Sequence, residues 1–197
     1  FSFYPTKILG AYSDGGFIFT NDFEIFKKIK RLRFYGIETI EKKKFKNKYY
    51  SFENGYNSRL DEIQASILNF KLKKVNSFIK KRRALAKIYT KELSSTELTL
   101  PIENKYNKHV YHLYTVSHPK REKLIKFLSR FQIQTRIIYP YPIQIMAAYK
   151  NIFKNKNNLK NSLKKSKEIF CLPLYPELSV KNVKYICSTL KKIIKKK

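Results

Sequence analysis

The sequence is poor in cysteine, in long apolar runs and in acidic residues, and each shortage excludes a class of protein. Its two cysteines, Cys171 and Cys187, have apolar neighbours, no CxxC spacing and no nearby histidine cluster, which argues against a disulfide framework and a metal site. No apolar run approaches the roughly 18 residues that a membrane span requires. The first residues also lack the basic and apolar segments of a signal peptide. We therefore expect a cytoplasmic protein with reduced thiols and no membrane partner.

Acidic residues number 14 against 43 basic ones, which gives a formal net charge of +29. Such an excess is typical of proteins that bind nucleic acids or other polyanions. Lysine, however, outnumbers arginine 35 to 8, and the lysines run through every predicted helix instead of gathering on one face. Bidentate phosphate or base contacts need an arginine-rich patch, which is missing. Solvated helix faces explain the charge better, so nucleic acid is not the expected partner, and polyanion binding stays an alternative.

Predicted strands and helices alternate along the sequence, which indicates an α/β or α+β layer. Helical spacing of apolar residues predicts helices at about residues 23–34, 58–93 (with a kink), 121–131, 160–170 and 180–194. Short apolar or alternating runs predict strands at residues 17–20, 110–117 and 135–142. A change of composition near residues 95–108 is the best candidate for a linker.

One lysine, Lys7, lies in an otherwise apolar and aromatic stretch, FSFYPTKILGAYSDGGFIFTND. Three of the chain's 5 glycines fall between Gly10 and Gly16, so a loop with unusual backbone angles follows the lysine. Lysine amines in general become nucleophiles when burial or nearby positive charge frees the lone pair. Most lysines beside aromatic residues only bury their stems, so this stretch alone favours a structural lysine over a covalent catalyst.

Longer motifs change that interpretation. SFYPTK, LGAYSDGG, FIFTND and GYNSRLDEIQASIL follow one another, and YPYP and LPLYPELS come later in the chain. In this order they closely resemble the DegT/DnrJ/EryC1/StrS sugar aminotransferases, which depend on pyridoxal 5'-phosphate (PLP). The resemblance implies an α/β fold, the PLP-dependent transferase fold type I of aspartate aminotransferase. It implies the end of the large PLP-binding domain and the start of a connecting helix at 1–75, and the long helix with a small carboxyl-terminal α+β domain at 76–197.

The resemblance also assigns roles to individual residues. Lys7 stands at the lysine that holds the cofactor covalently and moves protons. Ser2 matches a serine that donates a hydrogen bond to the cofactor phosphate, or else caps its own backbone. Asn57 matches an asparagine that reaches the phosphate in the partner subunit, although it is also a good helix cap. Tyr139 and Tyr141 resemble the aromatic lining of the substrate pocket, and ordinary packing explains them about as well.

The implied reaction moves an amino group, typically from glutamate, onto the keto group of a nucleotide-linked deoxysugar in a homodimer with its active site at the interface. Three positions depart from the family pattern: Ile8 replaces an asparagine, and Ile138 and Gln144 replace histidines on the substrate side. The family's first half, which supplies much of the cofactor pocket, has no counterpart here. We therefore expect the carboxyl-terminal half of an enzyme, inactive by itself. A non-catalytic remnant or truncated paralogue is the alternative.

Overall fold

The computed structural model describes residues 1–39, 49–149, 151–152 and 159–194, which form two compact units, residues 1–75 and 76–197. No helix in these ranges combines the length and the apolar character that crossing a membrane requires. The first unit contains α1 (Phe23–Leu32) and α2 (Glu62–Leu72). Next come α3 (Val75–Leu93), β1 (Tyr114–Ser117), α4 (Arg121–Arg130), α5 (Lys160–Glu168), β2 (Ile169–Leu172) and α6 (Val180–Lys191), of which all but the first residue of α3 belong to the second unit.

Helix α1 begins and ends with side chains that suit these positions. The Asp22 carboxylate caps its start by accepting hydrogen bonds from the backbone N–H groups of Glu24 (2.8 Å) and Ile25 (3.0 Å). After its last turn, Gly36 has a φ of 74°, a left-handed conformation that glycine adopts most readily. A Cβ atom at Gly36 would collide with the Glu53 carbonyl oxygen. The chain therefore needs glycine where the returning segment 49–57 crosses the end of α1.

The returning segment runs antiparallel to residues 34–37 and leads into α2. Isolated bridges join Phe34 to Asn57 and Ile37 to Ser51. Asp61 caps the start of helix α2, and its carboxylate accepts hydrogen bonds from the second and third N–H groups of the helix. The kinked helix predicted for 58–93 is thus two helices, α2 and α3, and the first of them begins at Glu62 and not at residue 58.

The strand predicted at residues 17–20 does not form. The Phe17 N–H donates to the Phe1 carbonyl oxygen at 2.9 Å, next to an isolated bridge between Ser2 and Gly16. Ile18 and Phe19 make no backbone hydrogen bond to any residue that the structure describes. A strand requires a partner strand, and the described residues of the first unit provide none at this position.

The second unit is built on an antiparallel strand pair. Tyr114 of β1 faces Leu172 of β2, and Ser117 faces Ile169. One isolated bridge flanks each strand: Thr99 with Ser117, and Arg136 with Cys171. The strand predicted at 135–142 is therefore reduced to a single bridge, because the prolines that follow lack N–H donors.

The core lies in the second unit. It consists of aliphatic and aromatic residues from α3, both strands, α4, α6 and the segments between them: Leu85, Ala86, Tyr89, Leu93, Leu98, Tyr111, Tyr114, Val116, Leu124, Leu128, Ile133, Phe170, Leu172, Leu174, Leu178, Val183, Ile186, Cys187, Leu190 and Ile194. Thr96 and Leu98, at the start of the linker predicted at 95–108, are buried. In the first unit, by contrast, Ala11 and Leu68 are the only buried apolar side chains among the described residues.

Two neighbouring arginines of α3 hold the segment that precedes β1. The Nη1 atom of Arg82 donates to the carbonyl oxygens of Tyr111 (3.3 Å), His112 (3.1 Å) and Leu174 (2.9 Å). Arg82 is buried, and this burial lowers the pKa of its guanidinium. Because these carbonyls turn toward α3 and Tyr111 has a φ of 47°, the strand predicted at 110–117 shrinks to β1.

The adjacent Arg83 binds the same segment through Glu103. Its guanidinium forms two hydrogen bonds with the Glu103 carboxylate, at 2.5 and 3.2 Å, and donates to the His109 carbonyl oxygen at 2.6 Å. The hydrogen bond from Arg83 is the main reason that the pKa of Glu103 is lowered. Arg82 therefore holds the end of this segment next to β1, and Arg83 holds its earlier part.

Candidate active site

Lys7 closes a tight turn in the first unit. Its backbone N–H donates to the Tyr4 carbonyl oxygen at 2.8 Å, with Pro5 in the second turn position, which its fixed φ suits. The Lys7 side chain is half-buried. Its Nζ atom makes no hydrogen bond, ion pair or ring contact with the residues that the structure describes. The turn therefore fixes the backbone of Lys7, and the amine at the end of its side chain is available.

The loop after Lys7 packs tightly against the turn. A Cβ atom at Gly10 would lie 2.5 Å from the Pro5 carbonyl oxygen and 2.8 Å from that of Tyr4, so only glycine fits without moving backbone. The Ala11 N–H donates to the Phe3 carbonyl oxygen at 2.7 Å, and Ala11 is fully buried. This close contact fixes the turn that carries Lys7.

Two polar residues of α2 hold the same loop, and the sequence interpretation missed both. Gln64 Oε1 accepts a hydrogen bond from the Tyr12 N–H at 2.8 Å. Lys71 Nζ donates to the Gly10 carbonyl oxygen at 2.6 Å and lies 4.3 Å from the centre of the Tyr12 ring. Lys71 is seven positions after Gln64, which puts the two residues on one face of the helix two turns apart. Polar residues at this spacing were the available signal.

Ser2 is joined to Lys7 through Tyr4. The Ser2 Oγ atom accepts a hydrogen bond from the Tyr4 N–H at 3.3 Å, and the Tyr4 carbonyl accepts from Lys7. Because Oγ acts here as an acceptor, its own hydrogen stays available to donate. Ser2 is exposed, so an anion can reach this donor.

Asn57 lies at the end of the returning segment with its amide oriented by Arg59. The Arg59 Nε atom donates to Asn57 Oδ1 at 3.2 Å, and the guanidinium lies 5.7 Å from the Phe34 ring centre and 5.9 Å from that of Tyr35. With Oδ1 occupied, the Nδ2 group is left as the donor. Within residues 1–39 and 49–75, no hydrogen bond joins Asn57 to Ser2 or Lys7.

An ion-pair network stabilises the segment that carries Asn57. Arg31 of α1 binds Glu53 at 3.0 Å and Glu38 at 3.4 Å. The hydrogen bond to Glu53 is the largest cause of the raised pKa of the Arg31 guanidinium. The returning segment is therefore tied to α1 by charge as well as by backbone hydrogen bonds.

The residues predicted to line the substrate pocket lie in the second unit. Tyr139 and Tyr141 are 72% and 64% exposed, so packing within the described residues does not account for their side chains. Gln144 is only 3% exposed, and its Nε2 atom has no hydrogen-bond partner among the described residues. A buried amide without a partner is unfavourable, which makes Gln144 a candidate donor to a ligand. The described residues contain no cluster of three or more possible metal ligands.

Comparison with known proteins identifies the family. The model of the DegT/DnrJ/EryC1/StrS aminotransferase family matches residues 1–191. A dTDP-3-amino-3,4,6-trideoxy-alpha-D-glucose transaminase from Micromonospora megalomicea subsp. nigra is 40% identical over 183 residues, which cover 90% of this chain and 47% of that protein. The chain thus spans about half the length of the curated relatives that it matches.

Solved structures share the fold. The crystal structure of DesV from S. venezuelae superimposes with a TM-score of 0.87 and 31% identity, covering 97% of this chain and 50% of DesV. The Bacillus subtilis protein NtdA, solved with bound cofactor PMP, gives a TM-score of 0.82 at 26% identity and covers 96% of this chain and 44% of NtdA. The predictions of a PLP-dependent transferase fold and of PLP as the family's cofactor are therefore confirmed. By the family match and by its fold, the chain belongs to the DegT/DnrJ/EryC1/StrS aminotransferase family.

Proposed function

We propose that this chain is the carboxyl-terminal half of a PLP-dependent aminotransferase that acts on a nucleotide-linked keto-deoxysugar. One observation carries the proposal. The first unit presents an unpaired amine and two polar side chains whose oxygen atoms already accept a hydrogen bond, so their hydrogens are left to donate. The amine is Lys7 Nζ, and the donors are the Ser2 hydroxyl and the Asn57 amide. An amine can react with an aldehyde, and such hydrogen-bond donors can bind the oxygen atoms of a phosphate.

The residues present fit the cofactor. Ser2 and Asn57 would hold the phosphate, Asn57 from the neighbouring subunit of a homodimer, and Lys7 would hold the aldehyde carbon. The turn at Pro5 and the close packing at Gly10 fix the backbone of Lys7 against displacement. When bound, PLP supplies an electron sink that stabilises negative charge on a substrate carbon.

Lys7 also has the chemistry of a general base. With the cofactor bound, Nζ would take up and move the proton that leaves the carbon bearing the amino group of the donor, which we take to be glutamate. The turn fixes the backbone of Lys7 on both sides. Only the side chain therefore has to move when the proton is transferred. The four methylene groups of lysine give the reach that such a transfer needs.

The substrate class follows from the relative in Micromonospora, whose name specifies a dTDP-linked amino sugar. Tyr139, Tyr141 and Gln144 are proposed to contact the sugar nucleotide, the tyrosines through exposed rings and Gln144 through its unpaired Nε2 atom. We also place the enzyme in the cytoplasm, because both cysteines are free thiols.

Covalent capture of PLP tests the proposal. Residues 1–197 would be fused behind the other half of the Micromonospora relative, loaded with PLP, reduced with borohydride and digested. We expect visible absorbance before reduction, and one phosphopyridoxyl adduct on the peptide that contains Lys7. The Lys7→Arg variant should lose both signals.

Lys28→Arg is the matched control, because Lys28 is an exposed lysine of α1. It should keep both the absorbance and the adduct. A colourless fusion, or adducts spread over surface lysines equally in the Lys7→Arg variant, would contradict the proposal and favour a non-catalytic remnant.

A further inference from the structure

Arginine is rare in this chain, and most of its arginines make directed hydrogen bonds. Lysine outnumbers arginine 35 to 8, so lysine supplies the positive charge at most positions. An arginine adds a planar guanidinium group that donates several hydrogen bonds in fixed directions. Six arginines use this group on carboxylate, carbonyl or amide oxygens of the described residues: Arg31, Arg33, Arg59, Arg82, Arg83 and Arg121. Arginine is therefore used in this chain where a directed hydrogen bond is made.

The other two arginines, Arg130 and Arg136, have side chains without a partner within the described residues. Neither guanidinium makes a hydrogen bond, an ion pair or a ring contact with them. Arg130 is the last residue of α4, where the partial negative charge of the helix end favours a cation. Arg136 is exposed and belongs to no helix, so this explanation does not apply to it. The described residues thus give no reason for an arginine at position 136.

The backbone of Arg136 is nevertheless fixed to the core of the second unit. Its N–H group donates to the Cys171 carbonyl oxygen at 3.3 Å, and its carbonyl oxygen accepts from the Cys171 N–H group at 2.7 Å. Cys171 is a buried residue of β2, which pairs with β1. The base of the Arg136 side chain is therefore held in place, while its guanidinium is free to bind a ligand. Fixing a binding group before the ligand arrives lowers the entropic cost of binding.

Arg136 belongs to the segment that is proposed to contact the substrate. Tyr139 and Tyr141 follow it by three and five positions, and both are exposed. An extended chain spans at most about 3.6 Å per residue, so the Cα atoms of Arg136 and Tyr139 lie within about 11 Å of each other. Gln144, which is buried and whose Nε2 atom has no partner among the described residues, lies in the same segment. One ligand can therefore contact a cation and aromatic rings here.

The chemistry of these side chains indicates the part of the ligand that Arg136 binds. A guanidinium pairs best with a carboxylate or a phosphate, through two parallel hydrogen bonds. Both groups enter the proposed reaction, as the carboxylates of the amino donor and the diphosphate of the sugar nucleotide. Exposed aromatic rings favour the nucleotide, because its base offers a flat surface on which a tyrosine ring can stack, and glutamate offers none. We propose that Arg136 binds the diphosphate of the sugar nucleotide, an inference that rests on the proposed function.

Binding of dTDP tests this inference without turnover. The fusion described above would be incubated with PLP and titrated by calorimetry with dTDP and with thymidine, which lacks the diphosphate. We expect dTDP to bind the Arg136→Met variant at least about tenfold more weakly, because the charge-assisted hydrogen bonds are lost. Arg136→Lys keeps the charge but not the two parallel donors, and should weaken dTDP binding about threefold. Thymidine should bind all these proteins equally.

Arg130→Met is the matched control, because it removes the other arginine without a partner and leaves the segment 136–144 unchanged. It should bind dTDP as tightly as the parent fusion. Hydrogen exchange at the Cys171 amide checks the fold. The acceptor of this amide is the backbone carbonyl of residue 136, so the exchange rate should stay the same in every variant.

Several results would overturn the inference. Equal losses of dTDP affinity in Arg130→Met and Arg136→Met would assign the effect to the overall positive charge. Unaltered dTDP affinity in Arg136→Met would exclude the diphosphate, and a raised KM for glutamate in that variant would make the carboxylate of the amino donor the ligand. A parent fusion that binds dTDP no better than thymidine would also contradict the inference, even where the Lys7 adduct forms and the proposed chemistry holds. Conversely, dTDP binding that depends on Arg136 but occurs without a Lys7 adduct would support the inference and contradict the cofactor proposal.

Discussion

The Nε atom of Arg59 lies 3.2 Å from the Oδ1 atom of Asn57, and the same guanidinium covers the rings of Phe34 and Tyr35. This contact sets which side of the Asn57 amide faces outward. Arg59 is therefore a positioning residue for Asn57, and its charge alone does not describe its role.

Arg59→Lys keeps the charge but removes the Nε donor. Without that hydrogen bond the Asn57 amide is free to rotate, so we expect the fused enzyme to retain PLP about tenfold less well. Equilibrium dialysis after gel filtration measures the retention. Arg33→Lys is the matched control, because Arg33 Nε donates to the Ser58 carbonyl oxygen at 3.3 Å and does not contact Asn57. Equal losses in the two variants would remove the positioning role.

Gln64→Leu should loosen the loop that follows Lys7. The substitution keeps the size of the side chain but removes the acceptor for the Tyr12 N–H. One hydrogen bond of this kind contributes about 1 kcal/mol, so the Tyr12 amide should exchange roughly fivefold faster. Asn69→Leu, which changes an exposed amide on the same helix, should leave that exchange rate unaltered. A Tyr12 rate that does not respond to Gln64→Leu would contradict the contact.

Arg82→Met should destabilise the second unit strongly. Three backbone carbonyl oxygens lose their donor, and buried acceptors without partners are unfavourable. We expect the free energy of unfolding to fall by about 2–4 kcal/mol, measured by circular dichroism in urea. Lys81→Met changes the exposed residue next to Arg82, and it should alter the free energy of unfolding by less than about 0.5 kcal/mol. Similar losses in both variants would assign the effect to the helix and not to the carbonyls.

Cys187 should be unreactive in the folded protein. Burial raises the pKa of its thiol from 9.0 to about 12, so the folded state favours the protonated form. The folded state then binds more protons than the unfolded state above pH 9, and the contribution of this group to stability is lost as pH rises from 9 to about 12. Iodoacetamide at pH 8.5 should label Cys187 only after denaturation, and fast labelling of the native chain would contradict its burial.

Local signals in the sequence predicted most of the helices. Asp22 caps α1, and helical spacing of apolar residues gives α4 and α6 close to their observed bounds. These features depend on neighbouring residues only, so they can be read without the fold. The family motifs single out Lys7, and its role as the cofactor lysine stays a prediction.

Features that depend on distant partners were not predictable in this way. The strand predicted at residues 17–20 lacks a partner strand, and the strand predicted at 110–117 is shortened by contacts with Arg82, about 30 residues away in sequence. Gln64 and Lys71 reach a loop 52 and 61 residues earlier. The spacing of Gln64 and Lys71 marks one face of α2 but not the loop that this face contacts, because the pairing arises only when the elements pack.

The Arg82 contacts also constrain the order in which the second unit folds. Its acceptors at Tyr111, His112 and Leu174 are 29, 30 and 92 positions further along the chain. Contacts at such separations require large loops to close, which slows folding relative to local helix formation. During synthesis, α3 is made long before Leu174, so the Arg82 guanidinium keeps water as a partner until Leu174 emerges. The buried arginine thus makes the contact with Leu174 one of the later steps in the folding of the second unit.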